Sequence, residues 1–305
     1  MRICSVVCIS LSLLCVGCAP KGHPHIVVHD EEIDLGLDTD MDIVFVADTH
    51  ISLCDDRDKA LSDKALARYE IFKSPDGIHA DDIFAEEMDY VKDTSPDLLV
   101  LGGDIVDSAM YASIDFVKDK LDDANTEYIY GMGNHDFEYG NEYYSDTAYE
   151  EYLPRLQEVS ETNNGFQIRE YDDCVIMVVD DDNNRVTPQA TEALSKLCEG
   201  DKPVILFTHV PIEPKEQESS LWKRSIEVWG AYDDGRSKVL MGLHSCIPDE
   251  ATSQFIDLVM NEDNPIAAVL SGHIHFYDSS ELRSGLTQTV TGAGFEGELI
   301  HLHIR

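Results

Sequence analysis

Past residue 40 the chain alternates two apolar patterns. Short unbroken runs rich in Val, Ile and Leu predict strands at Asp42–Ala47, Leu98–Leu101, Glu127–Met132, Cys174–Val179, Val204–Thr208, Ala267–Leu270, Leu286–Thr291 and Leu299–Ile304. Between them, apolar residues at helical spacing predict helices at Asp81–Asp93, where Ile83, Phe84, Met88 and Val91 share a face, and at Met110–Leu121, Tyr149–Val159, Thr187–Leu197 and Ala251–Met260. Pro154 marks a kink or boundary in the third of these helices. A strand that is apolar at nearly every position has both faces buried, so its alternation with amphipathic helices predicts an α/β protein whose sheet is covered on both sides. No repeat, low-complexity tract or Pro/Ser-rich linker interrupts residues 41–305, which are expected to form one domain.

The first 40 residues lack this alternation. Residues 1–18, MRICSVVCISLSLLCVGC, carry one positive side chain, Arg2, ahead of an apolar run. The run is shorter than the ~20 residues a membrane-spanning helix needs, and the pattern is that of a secretory signal peptide. Gly17 before Cys18, with Leu14 upstream, resembles a bacterial lipoprotein cleavage box, although Cys15 stands where a Leu is usual. The expectation is export to the cell envelope with a lipid anchor at Cys18; simple cleaved secretion and an uncleaved anchor are the alternatives. Residues 19–40 are expected to be a flexible linker between anchor and folded body. Its histidines, His23, His25 and His29, either bind metal loosely or are merely solvated.

Charge narrows the partners. Of 305 residues, 60 are acidic and 22 basic, a formal net charge of -38, which argues against a protein that wraps nucleic acid or binds anionic lipid through its own surface. A hydrophobic share of 43% still leaves material for a full core, unlike a disordered polyanion. Of the cysteines, Cys4, Cys8 and Cys15 fall in the leader and Cys18 at the anchor. Cys54, Cys174, Cys198 and Cys246 remain, with no CxxC pair and no zinc-ribbon spacing. One disulfide among them is open, while Cys174, which opens an apolar run, reads as a buried and unreactive thiol.

The residues just after each strand-like run are more specific. Asp48-Thr49-His50 comes after the first, and Gly102-Gly103-Asp104, with Asp107 just beyond, after the second. Gly133-Asn134-His135-Asp136 succeeds the third, His209-Val210-Pro211 a later one, and Gly272-His273-Ile274-His275 another. Ligands gather at the carboxyl ends of strands in α/β sheets, and glycines permit the tight turns that bring such loops together. A lone Asp-x-His, Gly-Asp or exposed histidine is common and means little. Their joint occurrence, in order and each at the mouth of a strand, is not an ordinary coincidence.

In this series the chain resembles the calcineurin-like metallophosphoesterase family, whose ordered signature is Asp-x-His, Gly-Asp, Gly-Asn-His-Asp/Glu, a lone His and Gly-His-x-His. The resemblance spans about Ile43 to Phe276. It implies an α/β fold built as a two-sheet β-sandwich flanked by helices on both outer faces. It also implies two divalent metal ions, one held by Asp48, His50 and His275, the other by Asn134, His209 and His273, with Asp104 bridging both. Two cations ~3.5 to 4 Å apart can hold phosphoryl oxygens and lower the pKa of a shared water. Imidazole mixed with oxygen suits manganese, iron or zinc rather than calcium. Relatives with a purple ferric site carry a Tyr where this chain has Asp107, which speaks against tyrosinate-bound iron. Asp107 either orients a ligand imidazole or caps a helix. By the same analogy His135 binds the phosphoryl oxygens and protonates the leaving alkoxide, with Asp136 raising its pKa or fixing its tautomer. The expected reaction is in-line attack by a metal-bridging hydroxide on a small phosphate ester.

Trp222, Arg224 and Trp229 lie in a weakly periodic stretch, Glu213–Lys238. They form either a lid that stacks on the substrate and contacts phosphate, or an amphipathic helix packing its tryptophans on the body. The alternatives to a phosphoesterase are a catalytically silent scaffold of the same fold, opposed by the intact ligand set, and a nuclease, opposed by the charge. Few of the 60 acids belong to the site, so most of the excess is read as solvated surface.

Overall fold

The structure, a computed structural model, describes residues 20–37, 39–138, 145–162, 164–181, 185–242, 244 and 248–305. The leader with Cys18, and also Cys246, lie outside the described residues. Two sheets stack face to face. The first has the order β1 (Val27–Ile33), β11 (Glu298–Ile304), β2 (Met41–Val46), β3 (Leu98–Gly102), β4 (Tyr128–Gly131). The second has the order β5 (Phe166–Glu170), β6 (Val175–Val179), β7 (Val204–Thr208), β8 (Ile266–Ser271), β10 (Leu286–Val290), β9 (Asp278–Arg283). The helices are α1 (Ser62–Ile71), α2 (Ala80–Thr94), α3 (Tyr111–Ala124), α4 (Asp146–Leu156), α5 (Pro188–Cys198), α6 (Ser220–Trp229) and α7 (Glu250–Met260).

Side-chain parity explains why the central strands are apolar throughout. Along β2, Ile43 and Phe45 face the second sheet and meet Ile176, Val178 and Phe207, while Val44 and Val46 face outward onto Ile83, Phe84 and Met88 of α2 and Val117 of α3. On the other outer face, Met177, Leu206 and Val269 pack against Leu194 of α5 and Phe255 of α7. The result is the helix-sheet-sheet-helix sandwich that the family resemblance implies. Pro154 is the third residue from the C-terminal end of α4, where it removes one intrahelical donor and the helix stops shortly after, as the boundary expected there.

Three strands escape the apolar pattern, and each is a sheet edge: β1, β5 and β9. The expected tether is accordingly corrected over Val27–Ile33, which pairs in parallel with β11 and buries Val28 beside Leu299 in the outer core. Nor do the tether histidines gather on a metal. His23 lies 3.3 Å from Asp93, His25 2.7 Å from Glu86 and His29 2.8 Å from Glu298, three separate carboxylates. Cys54, Cys174 and Cys198 are free thiols, and Cys174 is buried. No helix among the described residues is long and apolar enough to cross a membrane.

Candidate active site

The residues singled out at strand ends converge on one end of the sandwich. Asp48 and His50 follow β2, Asp104 follows β3, Asn134 and His135 follow β4, His209 follows β7, and His273 and His275 follow β8. Their backbone is strained: Asp48, His50, Asp104, His273 and His275 have φ of 58°, 50°, 53°, 72° and 57°. Such a conformation costs a residue with a Cβ on the order of 1 to 2 kcal/mol and persists only where the surroundings enforce it. Loop-to-loop hydrogen bonds do so here, with Asp48 N donating to Gly103 O at 3.0 Å, His50 N to Asp104 O at 2.9 Å and Gly272 N to His209 O at 3.0 Å.

Two clusters result. In the first, His50 Nε2 lies 3.1 Å from His275 Nε2, which lies 3.5 Å from Asp48 Oδ1. In the second, His209 Nε2 lies 3.2 Å from His273 Nδ1 and 3.2 Å from Asp104 Oδ2. The same Asp104 oxygen is 3.9 Å from His50 Nε2, so it faces both groups. Glycine is required between them: a Cβ on Gly103, at φ +92°, would meet His209 Nδ1 at 2.6 Å, and one on Gly133 would meet Asp104 N at 2.6 Å.

These residues fit divalent metals on grounds of their own geometry. Ring nitrogens facing each other at 3.1 and 3.2 Å bring lone pairs together that a shared cation satisfies. Asp48 Oδ1 and Asn134 Oδ1 are buried there with no hydrogen-bond partner, a state rare in proteins unless an ion or water supplies one. Burial holds His50 down at about 4, and burial with the charge of His209 holds His273 down at about 3, so both rings are neutral and able to ligate. Burial opposes the charge on Asp104, but the neighbouring His209 and His135 outweigh it and keep the carboxyl well below its ordinary value. His209 Nδ1 donates to Gly102 O at 2.9 Å, which points Nε2 at Asp104. Asp181 braces the same loop, accepting from His209 N at 2.7 Å and Val210 N at 2.9 Å.

His135 stands at the rim of the first cluster, its backbone N donating to Asp104 Oδ1 at 2.7 Å. Asp136 does not hold its imidazole, contrary to expectation. The Asp136 carboxylate points inward and accepts from Asp104 N, Gly133 N and Val106 N and from the Tyr130 hydroxyl, at 2.7 to 3.1 Å. It is a brace for two ligand loops. Burial and the nearby Asp104 charge push it up to about 7. The partner of His135 is Asp107, 2.7 Å from Nδ1, which also lies 3.4 Å from His50 Nδ1 and accepts two bonds from Arg68, at 2.6 and 2.9 Å. Glu138, paired with Lys64 at 3.0 Å, lies 3.4 Å from the same Nδ1. Burial disfavours a charged imidazole, yet Asp104, Asp107 and Glu138 prevail and raise His135 well above the ordinary histidine value. The helix-cap role considered for Asp107 belongs to Asp58, which accepts from Tyr111 N at 2.8 Å.

Arg68, Phe72 and Glu138 were not singled out by the sequence. Phe72 stacks on His50 with centroids 4.0 Å apart, and Arg68 lies 4.7 Å over the Phe72 ring. The one sequence signal that could have drawn attention to Arg68 is that the chain has only 22 basic side chains. Its helix α1 is hard to read because Leu66 and Ile71 are 62% and 61% exposed, which blurs the apolar face.

The tryptophan segment divides. On α6, Trp222 packs with Leu221, Leu240 and Phe276, and Arg224 lies over the Phe276 ring and donates to Tyr277 O at 3.2 Å. Those two side chains anchor the helix. Trp229, 40% exposed, donates to Ile274 O at 2.8 Å and stands edge-on to His275, centroids 5.4 Å apart. It alone borders the cluster.

Residues 41–277 match the calcineurin-like phosphoesterases, and the chain belongs to that family. At that level it is a metal-dependent phosphoester hydrolase. Among solved structures, a dimetal phosphatase from Danio rerio is similar in fold, with 11% identity, 84% of this chain and 88% of that one covered, and a TM-score of 0.52. A 5'-nucleotidase from Candida albicans matches more loosely, with 16% identity, 83% of this chain and 45% of that one covered, and a TM-score of 0.37. No curated protein matches the sequence.

Proposed function

We propose that the protein hydrolyses small phosphate esters at a pair of divalent metal ions that share Asp104. One observation carries the reading: the Asp104 Oδ2 atom faces His209 on one side and His50 on the other, inside two separate imidazole clusters. Asp48, His50 and His275 would hold one ion, and Asn134, His209 and His273 the other. Bound there, the ions supply positive charge for the phosphoryl oxygens and acidify water. The chain does the rest. Asp107 accepts a hydrogen bond from His135 Nδ1–H, which leaves Nε2–H to pass its proton to the departing alkoxide as water displaces it in line. Arg68 holds Asp107 beside the imidazole, its Nη2 2.9 Å from Asp107 Oδ1 and 3.1 Å from His135 Nδ1, and Phe72 and Phe295 wall the His50 imidazole against solvent. The net charge of -38 favours small esters over nucleic acid, since only the contact-range metals offset it.

Asp104→Asn tests the proposal: hydrolysis of p-nitrophenyl phosphate, or of its bis ester, should vanish with the substitution and with chelation. Activity that survives both would remove metals from the chemistry. From the leader we also propose that this reaction takes place in the cell envelope, tethered by lipid at Cys18; labelled palmitate that enters the wild type and also Cys18→Ala would refute the tether.

A further inference from the structure

A second set of metal-type side chains converges at the other end of the first sheet, where β2 begins. His301 and His303 alternate along β11 and so share a face; Asp30 of β1 lies opposite His301, and Asp42 of β2 lies opposite His303. The two rings are 4.4 Å apart between centroids, and Asp30, His301 and His303 each bring a ligand atom within 4.8 Å of the others. Both imidazoles are held by Nδ1. The Asp42 carboxylate is 2.7 Å from His303 Nδ1, and the Tyr90 hydroxyl is 2.8 Å from His301 Nδ1. Carboxylate or hydroxyl on one ring nitrogen is how a protein aims the other nitrogen at a metal. His303 Nε2 is 3.4 Å from Asp30 Oδ1, close to the ~3.3 Å edge of a tetrahedron built on metal bonds of ~2.0 to 2.1 Å. His301 is 9% exposed, and its Nε2 is buried with no hydrogen-bond partner. An interior strand built only for stability would place an apolar side chain there, because an orphaned ring nitrogen forfeits its hydration.

We propose that Asp30, His301 and His303 bind one zinc ion at a site separate from the catalytic centre, with Asp42 and Tyr90 orienting the imidazoles. Two imidazole nitrogens and a carboxylate match zinc rather than magnesium or calcium. The Asp30 side chain is 62% exposed, so water completes the coordination from that side. The ion ties β1, whose sole strand partner among the described residues is β11, to the sheet. The competing account is an ordinary ion pair in which protonated His303 sits between Asp30 and Asp42.

Zinc content decides between them. The full chain, stripped with chelator and dialysed to equilibrium against buffered zinc, is analysed by elemental mass spectrometry beside His303→Ala and Asp30→Asn. Both variants should hold one zinc equivalent fewer than the wild type and keep the wild-type rate of phosphate-ester hydrolysis. Asp42→Asn, which spares the ligands, should weaken this zinc by about 10- to 100-fold. Equal zinc content in wild type and variants overturns the site, and so does zinc lost only together with catalysis. Should His303→Ala fail to fold, the exposed Asp30→Asn substitution decides alone. Because the readout is bound metal, the result stands whether or not the catalytic proposal holds.

Discussion

Replacing Asp107 by asparagine tests how His135 is positioned, since Asp107 touches three partners and, as proposed, no substrate. The carboxylate is fully buried, takes two bonds from Arg68 at 2.6 and 2.9 Å, and lies 2.7 Å from His135 Nδ1 and 3.4 Å from His50 Nδ1. Asparagine has nearly the same shape but one acceptor oxygen and no charge, so Arg68 and His135 compete for it and the amide nitrogen faces one of them. A hydrogen bond to a charged group is worth about 1.5 to 3 kcal/mol. Loss of one such bond at the imidazole, taken as about 2 to 3 kcal/mol, lowers kcat by roughly 30- to 150-fold at 1.36 kcal/mol per tenfold. KM should change far less. The sign of the pH effect comes from the charges around the ring: Asp104, Asp107 and Glu138 together hold His135 above the ordinary value, and removal of one lowers it. The alkaline limb of kcat, where the acid loses its proton, therefore moves to lower pH. Steady-state hydrolysis of p-nitrophenyl phosphate across pH 5 to 9, at saturating metal and with bound metal measured in parallel, reads both effects. A kcat within about threefold of wild type together with an unmoved alkaline limb would refute the positioning role. Arg68→Ala should cost less, about tenfold, because Asp107 retains its histidines.

Single environments set the other expected outcomes. Trp229→Ala should raise KM several-fold with little change in melting temperature, because the ring is 40% exposed and borders His275; an effect on stability alone would make it a packing residue. Glu87 is fully buried in α2, neither of its carboxyl oxygens has a hydrogen-bond partner, and burial raises it well above its ordinary value. Glu87→Met should therefore stabilise the protein at pH 7 by about 1 to 3 kcal/mol in denaturant melts, and a loss of stability would reveal a partner for the acid. Burial pushes Asp180 up to about 6 from 3.8. The folded state binds that proton more tightly than the unfolded chain, so the contribution, on the order of 3 kcal/mol, is complete below about pH 4 and lost as pH rises through 6. Asp180→Asn cannot titrate and should flatten that part of the stability curve; parallel curves for the two proteins would count against the assignment.

The metal-type ligands were legible because their chemistry restricts residue type and their place at strand ends is a property of the chain itself. Asp48, Asp104, His209 and His273 could be named before their distances were known. What sequence proximity misjudged was the partner of His135. Asp136 is its neighbour but turns inward to Tyr130 and three backbone N–H groups, while Asp107, 28 residues earlier, meets the ring. Adjacent residues in a tight turn point in different directions, and only the packing of β3 beside β4 brings Asp107 across.

The sequence by itself determined the central strands, the helices that cover them and the ligand series, since each leaves a local mark: an unbroken apolar run, a helical period, a glycine beside a histidine. Tertiary structure alone decided the edges and the convergences. Among the described residues, strands β1, β5 and β9 are each hydrogen-bonded on one side only, so their sequences can stay polar and resemble loops. Asp30 meets His303 although the two are 273 positions apart, a separation that no local pattern records. Long-range pairing of that kind is set by which strands finally lie side by side, and the catalytic end and the far end of the same sheet are both its products.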